Sequence, residues 1–212
     1  MSRKHIAVAA LLSVAMASAF AGDWYAVGSV GQSKAQDTGK ADLDQSLVSM
    51  GVTGLRSSMD DNDTGYKLQL GYKFTPSWAV EGGYVDLGKF RYNATFSGPV
   101  AGSASTDAKV NGWNIAAVGI LPINDQFAVF GKLGAVDAKV ETSATATGAG
   151  TSASGSVSAT KWKANYGLGA TFSLSKTIGF RAELERFEKL GESGKTGESS
   201  VDLLSVGVVF TF

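Results

Sequence analysis

The sequence predicts an all-β fold, an eight-stranded antiparallel barrel that spans a membrane, and three observations support this prediction. Apolar and polar residues alternate with a period of two in eight segments after residue 22. These segments approach the ~9 to 11 residues that a tilted membrane strand requires. The connections between them alternate between short and long. With 27 glycines and three prolines, and almost no 3.6-residue apolar period, the chain is predicted to be β throughout.

The first 21 residues have the pattern of a secretory signal peptide. Arg3 and Lys4 supply its positive charge, residues 6–17 its apolar region, and residues 19–21 a small-residue cleavage site. The apolar run is shorter than the ~20 residues of a membrane-spanning helix, which disfavours a retained anchor. We therefore expect residues 1–21 to be cleaved and residues 22–212 to form one barrel domain.

The alternation defines the predicted strands, although it leaves the phase of the first one open. The strands cover residues 24–32, 66–74, 78–85, 112–121, 127–136, 162–172, 178–185 and 203–212. Short connections are predicted at 75–77, 122–126 and 175–176, and long ones at 33–63, 88–109, 141–160 and 189–199. Such a division places both termini on the periplasmic side.

Two of the long connections have sequence features of their own. Residues 41–50 predict a short helix with Asp42 as its cap. Residues 142–159 contain almost only Ser, Thr, Ala, Gly and Val, and this composition predicts a mobile loop.

Charged and aromatic residues favour a membrane barrel over a lipocalin-like soluble barrel, whose apolar faces would point inward. Only four charges share the apolar face, and each lies eight to ten residues from the short-connection end: Asp86, Asp137, Arg186 and Asp202. That distance, roughly 20 to 25 Å, matches an apolar band ~25 Å tall. Aromatic residues cluster at both limits of the band: Phe74, Trp78, Phe127, Phe172, Phe180 and Phe212 at one, and Tyr66, Tyr84, Trp113 and Trp162 at the other.

The opposite, inward face carries charges of both signs. An eight-stranded barrel has an interior only just wide enough for side chains, so unpaired charges there would be severely desolvated. We expect a paired lumenal charge network that disfavours a continuous aqueous pore, formed by Lys67, Lys73, Glu81, Lys132, Lys163, Arg181, Glu183 and Glu185.

Composition argues against several functions. The 19 basic residues are scattered among 19 acidic ones, so no nucleic-acid partner is expected. Cysteine is absent, and the only histidine is His5 in the predicted signal peptide. Barrel enzymes use histidine as a base, so we expect no enzymatic activity, no cofactor and no metal. Residues 60–63 would suit a surface Ca²⁺ site, although a solvated loop end is the favoured interpretation.

Several segments resemble the OmpA-like transmembrane β-barrel family. They are DDNDTGYKL at 60–68, WAVEGGYVDLG at 78–88, RAELERF at 181–187 and the terminal Phe212. The resemblance covers essentially the whole mature chain and implies an eight-stranded barrel in a Gram-negative-type cell outer membrane. It also implies that Glu81 and Arg181 belong to a lumenal charge network. Four residues of the last strand resemble the signal for the barrel assembly machinery: Val206, Val208, Phe210 and Phe212.

The resemblance implies a structural role in outer-membrane integrity, with surface loops on display. A narrow porin-like ion channel and an adhesin or receptor acting through the loops remain open alternatives. The implied partners of a monomeric barrel are outer-membrane lipid, lipopolysaccharide, the assembly machinery and periplasmic chaperones, with a host or phage ligand left open at the loops. Larger members continue into a peptidoglycan-binding domain, so wall tethering by that route is not expected of a chain ending at Phe212.

Overall fold

The computed structural model describes residues 23–36 and 39–212, and the predicted signal peptide and its cleavage site lie outside these residues. One helix and nine strands follow in the order β1 (Asp23–Ala35), α1 (Lys40–Ser49), β2 (Arg56–Asp60), β3 (Asn62–Thr75), β4 (Trp78–Phe96), β5 (Gly102–Pro122), β6 (Phe127–Gly148), β7 (Thr151–Ser173), β8 (Ile178–Glu192) and β9 (Gly197–Thr211).

Eight of these strands close into an antiparallel ring. Each strand from β3 to β8 pairs with the next one along the chain, and β1 completes the ring because Val27 lies opposite Gln69 of β3 and Val209 of β9. The backbone N–H of Phe212 donates to the carbonyl of Trp24 at 2.9 Å beside this closure. The predicted eight-stranded barrel is therefore confirmed. Strand β2 is additional and extends the line of β3 along β4.

The outer surface of the ring is apolar and its interior is partly charged, the reverse of a soluble protein. Leu68, Leu133 and Leu168 are each about two-thirds exposed, whereas Glu81 and Glu185 are fully buried. Large exposed apolar patches of this kind mark a membrane-facing surface. The soluble-barrel alternative is therefore wrong. The structure also gives the phase of β1, because Tyr25 and Val27 point inward.

The two ends of the barrel differ. At the short-turn end the connections are residues 76–77, 123–126 and 174–177, and β1 begins and β9 ends there. At the opposite, extended end, the β6–β7 ladder continues to the pair Gly148 and Thr151, with only Ala149 and Gly150 in the turn. The loops predicted at 88–109, 141–160 and 189–199 are thus mostly strand, and the mobile loop at 142–159 is a regular ribbon. The prediction of a mobile loop from composition is wrong, because backbone hydrogen bonds between strands can extend an existing sheet without a new apolar core.

The predicted helix is confirmed as α1, but its predicted cap is wrong. Gly39 occupies the N-cap with φ 62°, a left-handed conformation that glycine adopts at little cost, and no side chain caps the helix. Within residues 23–36 and 39–212, no helix has the length and hydropathy to cross a membrane.

The interior is layered along the barrel axis. A lower apolar cluster near the short-turn end contains Tyr25, Val27, Ala79, Val118 and Phe130. An upper apolar cluster toward the extended end includes Val85, Leu87, Phe90, Val110, Val136, Val140, Phe187, Leu190, Val201 and Leu203. The strands that cross both clusters carry polar residues between them, so a polar layer separates two apolar ones.

Candidate functional site

The polar layer contains six charged side chains, three of each sign, none more than 5% exposed. They come from four strands, since inward positions of neighbouring strands meet at one height: Lys67 from β3, Glu81 from β4, Lys132 from β6, and Arg181, Glu183 and Glu185 from β8. We call this group the charge layer.

Each cation of the charge layer contacts at least two carboxylates. Lys67 Nζ lies 2.8 Å from Glu183 and 2.5 Å from Glu185. Lys132 Nζ lies 3.0 Å from Glu81 and 2.9 Å from Glu183. Arg181 lies 2.5 Å from Glu81 and 3.3 Å from Glu183. Buried charges are tolerated only with such partners, because each alone would bear an uncompensated desolvation cost.

Neutral side chains complete the layer, and the sequence did not single them out. The Tyr25 hydroxyl donates to Glu81 Oε1 at 2.8 Å, and Asn165 Nδ2 donates to Glu185 Oε1 at 2.6 Å. The guanidinium of Arg181 lies 3.9 Å from the ring centroid of Phe130, a cation–π distance. Phe130 and Asn165 could have been identified by their inward positions, two residues from the predicted charges Lys132 and Lys163. Tyr25 carries no such signal, because the sequence leaves the phase of the first strand open.

Glycines make room for the two rings beneath the charge layer. A Cβ at Gly71 would overlap the ring of Tyr25, and a Cβ at Gly169 would overlap the ring of Phe130. The lumen-facing glycines therefore let the lower apolar cluster close directly under the charges.

Two of the eight predicted network residues lie elsewhere. Lys73 Nζ is 5.5 Å from the centroid of the Tyr25 ring, on the short-turn side of the layer. Lys163 pairs with Glu198 at 2.7 Å at the extended end. Both face inward, but alternation along a strand predicts the face of a side chain and not its height in the barrel.

Two aromatic belts bound the outer apolar surface. At the extended side, Tyr84 lies opposite Trp113 with ring centroids 5.4 Å apart, and Trp113 and Trp162 flank Asp137 across the sheet. At the short-turn side, Phe127, Phe172 and Phe180 lie opposite one another in a row. Val206, Val208 and Phe210 of β9, and Phe212 directly after it, are exposed on the same outer surface.

In the acidic run at residues 60–63, Asp63 binds backbone N–H groups. Asp63 accepts hydrogen bonds from the backbone N–H groups of Thr64 and Lys89, at 2.7 and 2.6 Å. Within residues 23–36 and 39–212, no three His, Cys, Asp or Glu side chains are grouped to hold a metal ion.

A closed ring of strands, an apolar outer surface between aromatic belts and a filled interior define the class of membrane-spanning β-barrels. A family model described as the OmpA-like transmembrane domain matches residues 19–212. The chain belongs to this family and is an outer-membrane β-barrel.

Comparison with solved structures found several similar chains. The crystal structure of Ail, the attachment invasion locus protein of Yersinia pestis, has a TM-score of 0.51 and 21% identity, covering 90% of this chain and 99% of that one. OprG from Pseudomonas aeruginosa has a TM-score of 0.46 and 18% identity over 90% and 96% of the chains. The protease OmpT from Escherichia coli has 0.43 and 9% over 92% and 99%. No curated protein sequence matched the chain.

Proposed function

We propose that the protein is a non-conducting structural barrel that contributes to outer-membrane integrity and displays its extended end. The observation that carries this proposal is the charge layer, whose six side chains are at most 5% exposed between two apolar clusters. Ions crossing such an interior would have to displace paired charges and then pass an apolar layer, which has no groups to replace their water.

Planar bilayer recording tests this proposal against the narrow-pore alternative. The refolded wild-type barrel should give no stable ohmic steps, and Glu81→Ala should open intermittent conductance by removing a carboxylate that holds Arg181 and Lys132. Leu168→Ala, on the exposed outer surface, is the matched control and should stay silent. Stable wild-type steps that Glu81→Ala enlarges would establish a gated pore instead.

We infer that residues 1–21 are removed on export and that the short-turn end, with both mature termini, faces the periplasm. The division into short and long connections supports this orientation. In intact cells, added protease should cleave at residues 149–150 and leave the turns at 76–77 and 123–126 uncut. Protease cuts only at those short turns would show that the orientation is the opposite one. N-terminal sequencing of the mature protein would test whether the signal peptide ends at residue 21.

We also propose that the outward side chains Val206, Val208 and Phe210 of β9, together with Phe212, form the signal for the barrel assembly machinery. Their support is an unbroken apolar row ending at Phe212, each member 42% to 62% exposed. In this proposal the barrel acts as a monomer among lipid and lipopolysaccharide. It has no catalytic activity, because the only histidine of the sequence is His5, in the predicted signal peptide.

A second candidate role, binding a host or phage ligand, is favoured by the height of the extended end. Strands β4 to β7 run for 19 to 23 residues, about twice what a membrane strand requires. Replacing residues 143–156 by a two-residue turn joins the paired residues Thr142 and Val157, and it should remove phage adsorption or host-cell adhesion while the barrel still folds. Unchanged binding by cells with the shortened ribbon would exclude this role for it.

A further inference from the structure

Above the upper apolar cluster, the extended end encloses a cavity of about 590 Å³. Its floor consists of side chains of that cluster: Phe90, Val110, Val140, Leu190 and Val201. Thr106, Ala108 and Thr142 line the wall, the turn between β8 and β9 lies at one side, and Leu43 of α1 at another. We call this cavity the cup.

The cup is closed on the side that faces the charge layer. Its floor residues are at most 5% exposed, and the charge layer lies beneath them. A molecule entering from the extended end would therefore stop on an apolar surface. This geometry describes a binding cavity and not the mouth of a channel.

The chemistry of the lining selects a class of ligand. The floor offers only carbon atoms, while the wall and rim offer hydroxyl groups from Thr106, Thr142, Ser193, Thr196 and Ser199. Two of the charged rim residues have partners, since Glu198 pairs with Lys163 at 2.7 Å and Lys195 lies 3.9 Å from Glu192. Small-molecule sites commonly combine an apolar body of ~300 to 1,000 Å³ with a few polar groups that orient the ligand.

Helix α1 provides a second, independent observation. None of its residues is buried, and polar contacts hold it to the barrel: Asp44 accepts hydrogen bonds from Tyr92 at 2.6 Å and from Ser57 at 2.9 Å. Leu43 lies beside the cup and is only partly buried there. A ligand in the cup would bury this side chain together with the floor.

We propose that the cup binds a small neutral molecule with an apolar, ring-sized body and one hydrogen-bonding group. The apolar body would rest on Phe90, Val110 and Val140, and the polar group would meet the threonine hydroxyls of the wall. This site lies outside the charge layer, so it is independent of whether the barrel conducts.

Indole is a suitable probe, because it is neutral and carries a single N–H donor. The protein in lipid nanodiscs, with ¹³C-labelled methyl groups, would be titrated with indole and followed by NMR. The methyl signals of Val110, Val140 and Val201 should shift saturably, and indole protons should show nuclear Overhauser contacts to them. Two results would overturn the proposal by showing that indole only partitions into the lipid. One is chemical shifts that change linearly with indole concentration, and the other is nuclear Overhauser contacts only to outward methyl groups such as those of Leu168 and Val206.

Two phenylalanine substitutions at alanine positions of β5 provide a test and its matched control. Ala108→Phe fills the cup from its wall and should weaken indole binding at least tenfold. Ala117→Phe adds the same side chain to the exposed outer face and should leave the affinity unchanged. Equal affinity in both variants would contradict the site, and the wild-type contacts decide the matter if Ala108→Phe does not fold.

Discussion

Two carboxylate clusters in this barrel use the same chemistry in opposite surroundings. Glu81 lies in the charge layer, fully buried, with Tyr25, Lys132 and Arg181 around it. Asp44 lies at the rim of the extended end, where it accepts hydrogen bonds from Lys40, Tyr92 and Ser57. Each carboxylate has three partners, but water competes for the hydrogen bonds of Asp44 only. Burial should therefore make the first cluster a determinant of global stability and the second a local, pH-sensitive attachment.

The largest expected effect comes from removing the central carboxylate. Glu81→Ala leaves Arg181 and Lys132 buried beside a cavity with fewer counter-charges, and breaking a buried ion pair in this way costs about 3 to 5 kcal/mol. Urea unfolding of the barrel in lipid vesicles, followed by tryptophan fluorescence, should show a loss of that size in the free energy of unfolding.

The exposed outer wall supplies the control for that measurement. Glu141 pairs with Lys139 at 2.8 Å, but both side chains are nearly half exposed. Glu141→Ala should leave the free energy of unfolding unchanged, since solvent replaces the lost partner. Comparable losses in both variants would mean that burial is not what distinguishes the two kinds of pair.

A smaller effect is expected from the glycine that lets Phe130 pack under Arg181. Gly169→Ala places a methyl group against the Phe130 ring and the backbone of β8, and overpacking of this kind costs about 1 to 3 kcal/mol. Gly131→Ala is the matched control, because nothing lies within 4 Å of the added Cβ. The same unfolding measurement applies, and an equal response of the two variants would show that backbone entropy, and not ring packing, governs the site.

The charge layer also shows how much of the candidate site the alternation of polar and apolar residues predicts from the sequence alone. A period of two predicts the face of each side chain, and all eight predicted inward charges do face inward. Six of them meet, whereas Lys73 and Lys163 do not. Lys73 follows Lys67 by six residues, roughly 20 Å along a strand. Height depends on strand register, which the interstrand hydrogen bonds set and a single sequence does not display.

Tyr25 and the β6–β7 ribbon illustrate two other limits. The first strand carries one aromatic residue on each face, so the inward position of Tyr25 emerges only from pairing with β3 and β9. The ribbon contains few apolar residues, yet its backbone groups are paired up to Gly148 and Thr151. Composition predicts whether a segment can form a core of its own, and this segment instead continues strands whose core lies below.

The smallest effect is expected at Asp44, where the change is local. Hydrogen bonds, chiefly from Lys40 and then from Tyr92 and Ser57, lower the pKa of Asp44 from 3.8 to about 2. Because the folded-state pKa is depressed, the contribution of the carboxylate is complete above pH 3.8 and is lost as the pH falls through about 2. Acidification should therefore detach α1 from the barrel rim in this window, while the barrel itself stays closed.

Spin labels can measure this detachment, since the chain contains no cysteine and two can be introduced uniquely. Labels at Gln45 on α1 and at Asn93 on β4 should give a narrow distance distribution at pH 7 that broadens toward pH 2. Asp44→Asn should broaden it at pH 7 already, with the circular dichroism of the barrel unchanged. A narrow distribution in that variant would mean that packing of Leu43 and Leu47, and not the carboxylate, holds the helix over the cup.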